Sequence, residues 1–192
     1  MATAIVDSLL ELLSTAGQAE YHGEKVSQLE HALQTADLAR REGESEEEVL
    51  AALLHDIGHV WPEGDGDGER EVTSVGVVHH ASVGAAALRK MGFSEAVASV
   101  VAGHVNAKRY LVGQDTEYAG TLSECSVESL RRQGGPMGAE EAAEFARGPW
   151  FEAKIRLRKR DDRAKIPGAI VPGLDSYRDI MIAHLSSQQN CK

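Results

Sequence analysis

The feature that most constrains this chain is Leu54-His55-Asp56-Ile57-Gly58-His59, where a histidine and an aspartate stand side by side at the end of an apolar helix. Gly58 reads as the residue that breaks that helix, with His59 beyond it. Neutral imidazole and carboxylate together suit a borderline metal such as iron or zinc. Adjacent helical residues point about 100° apart, so the pair can grip one metal from two sides or bridge two. On its own such a pair is equally a helix-capping aspartate beside a core histidine. The remaining ligands have to come from elsewhere in the chain.

The rest of the sequence reads as helices joined by short links. A first amphipathic helix covers residues 2–16, and a second runs from about Glu24 to Arg41 with a close-packing stripe of Ala32, Ala36 and Ala39. His31 lies off that stripe, and spacing alone predicts a partly exposed histidine there. Ser45 before Glu46-Glu47-Glu48 is a helix start, with the acids at the positive end of the dipole. Pro62 to Gly68 reads as a mobile loop; it is no calcium loop, because its twelfth position counted from Asp65 is Gly76. In the fourth helix His80, Val83, Gly84, Ala87, Leu88 and Met91 share one face, which turns His80 inward and His79 away. In the fifth, Val97, Val100, Val101, His104, Lys108 and Leu111 share a face. A lysine one turn past an inward histidine either snorkels past the core edge or waits for an anion the chain does not supply. Helices follow over Ser123–Arg132, Gly138–Ala146, Trp150–Ala164 and Asp175–Ser187, the last with a stripe of Tyr177, Ile180, Met181, His184 and Leu185. The run from Arg156 to Arg163 reads as a solvated face, and its periodicity does not choose between Asp161 and Asp162. Val75–Val78 is the only strand-like run and is too short to found a sheet. The fold class is therefore all-α.

Composition narrows the function classes. A formal charge of −10 and a pI near 5.3 exclude a partner held by bulk positive charge, so neither nucleic acid nor an anionic membrane surface is expected. No apolar run is long enough to span a bilayer, and the N-terminus lacks a basic leader. Cys125 and Cys191 form no CxxC and no disulfide framework, which fits a reduced cytoplasm.

The candidates His31, His55, Asp56, His80, His104 and Asp161 or Asp162 come from five separate helices. Four histidines and two aspartates exceed what one open metal site needs, and six ligands with one bridging carboxylate suit two metals. A nitrogen and oxygen shell without thiolate fits iron or manganese better than zinc.

The pattern His31, His55-Asp56, Asp161 resembles the HD-domain superfamily of metal-dependent phosphohydrolases, and His80 with His104 resembles its dinuclear branch. More narrowly, five stretches resemble the mixed-valent diiron oxygenases that cleave organophosphonates, relatives of myo-inositol oxygenase. These are Tyr21-His22-Gly23-Glu24, Gln28-Leu29-Glu30-His31, His55-Asp56-Ile57-Gly58-His59, residues 103–111 (Gly103-His104 through Lys108 to Leu111) and Gln133-Gly134-Gly135-Pro136-Met137. The likeness extends over nearly the whole chain.

The resemblance implies a single HD-type helical bundle over residues 1–192 with a dinuclear metal site at its centre. It implies that His31, His55, Asp56 and Asp161 hold one iron, that Asp56 bridges to a second, and that His80 and His104 complete the second; it also settles Asp161 over Asp162. Tyr21 and Glu24 match a lid pair, the tyrosine covering an open iron position and the glutamate meeting a substrate amine. His59, Lys108, Ser126 and Arg158 match substrate-binding positions, with Arg158 alternatively paired to Asp162. The implied cofactors are two Fe ions, Fe(II) and Fe(III), with O2 as co-substrate. The implied substrate is a 1-hydroxy-2-(amino or trimethylammonio)ethylphosphonate, made by a separate hydroxylase and cleaved to phosphate and glycine or glycine betaine. Trp61 and Trp150 would favour the quaternary ammonium if their faces reached the site, and otherwise pack in the core. The competing expectation is an HD phosphohydrolase acting on a phosphoester or nucleotide without oxygen.

Overall fold

The computed structural model describes residues 1–21, 23–62, 72–73, 76–77 and 79–190. His22, Val75, Val78, Cys191 and most of the proposed loop, from Glu63 onward, lie outside the described residues. The chain folds as α1 (Ala2–Thr15), α2 (Gln28–Arg41), α3 (Glu46–Leu54), α4 (Ile57–Val60), α5 (His80–Met91), α6 (Glu95–Gln114), α7 (Thr116–Ala119), α8 (Glu124–Arg132), α9 (Ala139–Arg147), α10 (Phe151–Arg163) and α11 (Arg178–Asn190). The only strands among the described residues are β1 (Val72–Thr73) and β2 (Gly76–Val77), a minimal antiparallel pair with Val72 opposite Val77. No helix among the described residues is long and apolar enough to cross a membrane.

The helix α3 is the centre of the molecule. Every residue from Val49 to Leu54 is buried, as expected of a helix apolar on all sides. It packs against α2, α6, α10 and α11, and its core partners include Val97, Val101, Leu157, Met181 and Leu185. His55 and Asp56 therefore emerge at the end of the most enclosed helix in the fold. The start of α3 is the Ser45 cap foreseen from sequence, its side chain accepting from the Glu48 amide at 3.3 Å.

Several boundaries differ from the sequence reading. The second helix begins at Gln28, not Glu24, because Ser27 and Glu30 form a capping box: the Glu30 amide donates to Ser27 Oγ at 3.1 Å and the Ser27 amide to Glu30 Oε2 at 2.7 Å. That leaves Tyr21 and Glu24 ahead of α2, where the Tyr21 amide donates to the Val26 carbonyl at 3.0 Å. The break after α3 falls at Asp56 (φ −102°, ψ 11°), and Gly58 sits inside α4. Its missing side chain lets α4 and α5 meet backbone to backbone: a Cβ there would collide with the His80 carbonyl and lie 2.9 Å from the Gly84 amide nitrogen. The final helix starts at Arg178, after a 3-10 turn over Leu174–Tyr177. The short α7, capped by Asp115, was not foreseen.

The charge run on α10 is solvated only in part, at Lys159 and Arg163. Arg158, Arg160 and Asp161 are all buried. Arg160 donates to Glu42 at 2.6 Å and also pairs with Glu44, tying α10 to the α2–α3 turn. Apolar periodicity cannot register a face that is buried by ion pairing.

Candidate metal centre and cleft

Two groups of ligand-type side chains meet at the end of α3. His31, His55 and Asp161 form one and Asp56, His80 and His104 the other, and within each the ligand atoms lie within 4.8 Å of one another. They are carried by α2, α5, α6, α10 and the α3–α4 break. All six side chains are buried, with His31 and His55 fully so. The partly exposed histidine predicted at His31 is thus corrected. The polar side of α2, with His31, Gln34, Thr35 and Asp37, is covered because α10 packs over it.

Asp56 stands between the groups. Its Oδ2 is 3.3 Å from His55 Nε2 and 3.8 Å from His31 Nε2, while its Oδ1 is 3.4 Å from both His80 Nε2 and His104 Nε2. Asp161 Oδ1 lies 3.2 Å from His31 Nε2. Asp162 instead turns away, accepting the Tyr118 hydroxyl at 2.5 Å and an ion pair from Arg158.

The hydrogen bonds of the histidines define what fits between them. His31 Nδ1 bonds to the Ala164 carbonyl (2.8 Å), His55 Nδ1 to Ala52 (2.8 Å), His80 Nδ1 to Val77 (3.0 Å) and His104 Nδ1 to Val101 (2.7 Å). A carbonyl only accepts, so each Nδ1 carries the proton and each neutral ring points an Nε2 lone pair inward. His31 Nε2 and His55 Nε2 then face each other at 3.1 Å, as do His80 and His104. Two lone pairs at that distance repel unless a cation lies between. Asp56 Oδ2 and Asp161 Oδ1 are also buried without a hydrogen-bond partner. Inward lone pairs and orphaned carboxylate oxygens are the donor set that a pair of metal ions satisfies. The electrostatics agree: burial works against charge on His55, yet Asp56 and Asp161 raise its pKa to about 9. A field that would hold a proton there also holds a cation. Burial is the leading influence on His80 and takes its pKa down to about 4.

Above the two groups opens a cleft lined by Tyr21, Glu24, His59, Lys108, Ser126 and Arg158, together with Ser129, Gln133 and Lys165. All six side chains predicted for the lid and the substrate thus reach one cavity. His59 differs from the other inward histidines: its Nδ1 accepts the Val77 amide at 3.1 Å, so its proton is on Nε2 and faces the cleft side of Asp56 Oδ1, 3.9 Å away. It is set up to donate to an anion rather than to hold a metal. Tyr21 stacks on His31 with ring centroids 4.1 Å apart, and its hydroxyl bonds to Asp56. Burial chiefly, with Asp56 and Asp161, pushes that phenol well above its ordinary value.

Among the described residues no carboxylate forms an ion pair with Lys108. It is buried and donates to Ser129 Oγ at 2.7 Å, and burial first, then Arg158, lowers its pKa to about 7. Arg158 donates to Asp161 Oδ2 at 2.7 Å and to the Tyr118 hydroxyl at 3.2 Å, besides pairing with Asp162. Burial opposes its charge, but the two aspartates hold the guanidinium protonated. Its pairing with Asp162, foreseen as an alternative role, is therefore present beside its place in the cleft wall.

Ser129 and Lys165 were not foreseen. Ser126 and Ser129 on α8 and Gln133 at its C-cap fall at i, i+3 and i+7, a polar stripe visible in the sequence. Lys165 lies just past the end of α10 and carries no periodic signal. Neither tryptophan reaches the cleft: Trp61 packs against the core in a groove with Leu12 and Met91, and Trp150 is 40% exposed at the start of α10.

The sequence pattern of the HD domain matches residues 29–158. A hydroxymethylphosphonate dioxygenase of Gimesia maris is 41% identical over 172 residues, covering 90% of this chain and 84% of the relative. A glycine-betaine-forming 1-hydroxy-2-(trimethylamino)ethylphosphonate dioxygenase of Leisingera caerulea is 40% identical over 161 residues, covering 84% and 80%. An uncharacterized protein of Acanthamoeba polyphaga mimivirus is 38% identical over 185 residues, covering 96% and 84%.

Proposed function

The chain belongs to the HD-domain family, with two phosphonate dioxygenases among its relatives, and from that premise we propose that it is a diiron oxygenase cleaving the carbon–phosphorus bond of a 1-hydroxyphosphonate. The observation that carries the reading is Asp56, one oxygen turned to each group of histidines, above which Lys108 and His59 offer proton-bearing nitrogens to an anion.

On this reading residues 1–192 act as one HD-type domain. His31, His55, Asp56 and Asp161 would hold one iron, and Asp56, His80 and His104 the other. Such a pair, one Fe(II) and one Fe(III), would supply the capacity to reduce O2 and to polarise the substrate. The overall conversion balances: a 1-hydroxyphosphonate and O2 give a carboxylate, phosphate and one proton, and the four electrons taken from the substrate reduce O2.

The chain's own side chains bind and orient. His59 Nε2–H and the Lys108 ammonium grip the phosphonate in a partly dry pocket, where such contacts are stronger than in water. Ser126 adds a hydroxyl from α8. Arg158 holds the second oxygen of Asp161 and fixes its direction. Tyr21 covers the metal-facing end of the cleft and must swing off His31 to admit substrate. Glu24 meets the distal ammonium. Because both tryptophans lie outside the cleft, a primary amine suits the site better than a trimethylammonium, which cannot donate a hydrogen bond to Glu24.

Protein purified with iron should release phosphate from 1-hydroxy-2-aminoethylphosphonate only when O2 is present, at one O2 per phosphate. Equal turnover of a phosphoester under anaerobic conditions would assign the phosphohydrolase chemistry instead.

A further inference from the structure

Glu24 already has an ammonium. Lys165 Nζ donates to Glu24 Oε1 at 2.9 Å, and the same oxygen accepts Ser123 Oγ at 2.7 Å. Lys165 also lies 3.2 Å from Ser126 Oγ and 3.4 Å from Ser123 Oγ. Both members of the ion pair are largely shielded, with side-chain exposures of 14% and 17%. The pair is therefore screened less than a surface pair would be.

The lysine comes from a fixed base. The strap after α10 is tied to α2 by three bonds: His31 Nδ1 to the Ala164 carbonyl, Gln34 Nε2 to the Ile166 carbonyl at 3.0 Å, and the Ile166 amide to Gln34 Oε1 at 3.0 Å. The glutamate follows Gly23, which turns the chain at φ 84°, and the Tyr21 amide bonds to the Val26 carbonyl at 3.0 Å. A flexible side chain on a fixed base thus carries its ammonium across the cleft to Glu24.

We propose that Lys165 is a specificity-determining residue: its ammonium occupies the position on Glu24 that a substrate ammonium would take, so an amine-bearing phosphonate has to displace it and an amine-free one does not. The inference rests on the phosphonate reading above. Ser123 and Ser126 are placed to keep the displaced lysine hydrogen bonded. With Lys165 seated, a second ammonium meets a carboxylate whose charge is already matched and a like charge beside it.

The test compares 2-aminoethylphosphonate with ethylphosphonate, which lack the 1-hydroxyl, by anaerobic titration calorimetry on the iron-loaded protein. Lys165→Met should raise the preference for the amine-bearing ligand about tenfold over wild type, whereas Lys165→Arg should leave it near the wild-type value. A rise of less than threefold in Lys165→Met overturns the proposal. Lys165→Gln serves the same comparison if the methionine variant fails to fold. Binding of both ligands with an unchanged ratio would sink the role of Lys165 alone; failure of both to bind wild type would sink the phosphonate reading and this inference with it.

Discussion

The ring of His59 receives the Val77 backbone amide on Nδ1 at 3.1 Å, the reverse of the polarity at His80, whose Nδ1 gives its proton to the Val77 carbonyl at 3.0 Å. One residue of β2 thereby fixes two stacked histidines, 3.9 Å apart, in opposite tautomers. The two should respond oppositely to substitution. His80→Ala should lose one iron per chain. His59→Ala should keep both irons and lose a charge-assisted hydrogen bond of about 2 kcal/mol, raising KM for the phosphonate about thirtyfold. Iron content and steady-state kinetics on the two variants check this. Iron loss in His59→Ala would remove the distinction.

The close crossing of α4 and α5 makes Gly58 indispensable to both. In Gly58→Ala the new methyl meets the His80 carbonyl, which is backbone and cannot rotate aside. Overpacking of this kind costs about 3 kcal/mol and should lower the thermal midpoint accordingly. Since Asp56 caps one helix and His80 opens the other, the variant should also bind iron more weakly. A midpoint within a degree of wild type would show that the helices can part freely.

Much of this arrangement was legible in the sequence because helical periodicity reports apolar faces. It turned His80 and His104 inward and His79 outward, and it placed the face of α6 that carries Lys108 in the interior. It failed where burial is polar. His31 lies on a side of α2 covered by α10, and Arg160 is buried against two glutamates, so neither contributes to an apolar pattern. The choice of Asp161 over Asp162 came from family likeness, not spacing. Lys165 was invisible because its position depends on Gln34 tying down a segment that follows a helix end. Ser27 and Glu30 have the spacing of a capping box in the sequence, and that local signal, rather than the apolar stripe, marks the start of α2.

Arg160 shows what the ionic part of the interior is worth. Its guanidinium is buried and its partners Glu42 and Glu44 keep some contact with water, Glu42 being 38% exposed. Removing the arginine leaves two carboxylates that solvent can partly rescue, so the loss should fall below that of a sealed pair. Arg160→Ala should destabilise the protein by about 2 kcal/mol, seen as a lower urea midpoint at constant slope. Because the pair anchors α10 to the turn between α2 and α3, an Arg160→Met variant of similar bulk should recover only part of the difference.

The acid limb of stability should carry the signature of His184, which is remote from the metal groups. Its Nε2 accepts the Ser94 amide at 3.1 Å, and its ring stacks on Phe93 with centroids 5.5 Å apart. Ser94 caps α6, the helix bearing His104 and Lys108. Burial holds the imidazole below its ordinary pKa, outweighing Glu47 and Glu46, which act to raise it. The sign follows from proton uptake. An unfolded chain protonates this histidine near its ordinary value of about 6.5, while the folded chain resists until lower pH. The contribution is therefore complete above about pH 6.5 and is lost as pH falls below it. Protonation also removes the acceptor for Ser94, so the first turn of α6 should open. His184→Gln does not titrate there, and subtracting its stability from that of wild type isolates the effect from the histidines of the metal centre. The difference should shrink steadily between pH 7 and pH 5, with faster hydrogen exchange at the Ser94 amide in wild type; a difference flat across that range would exclude His184 as the titrating group.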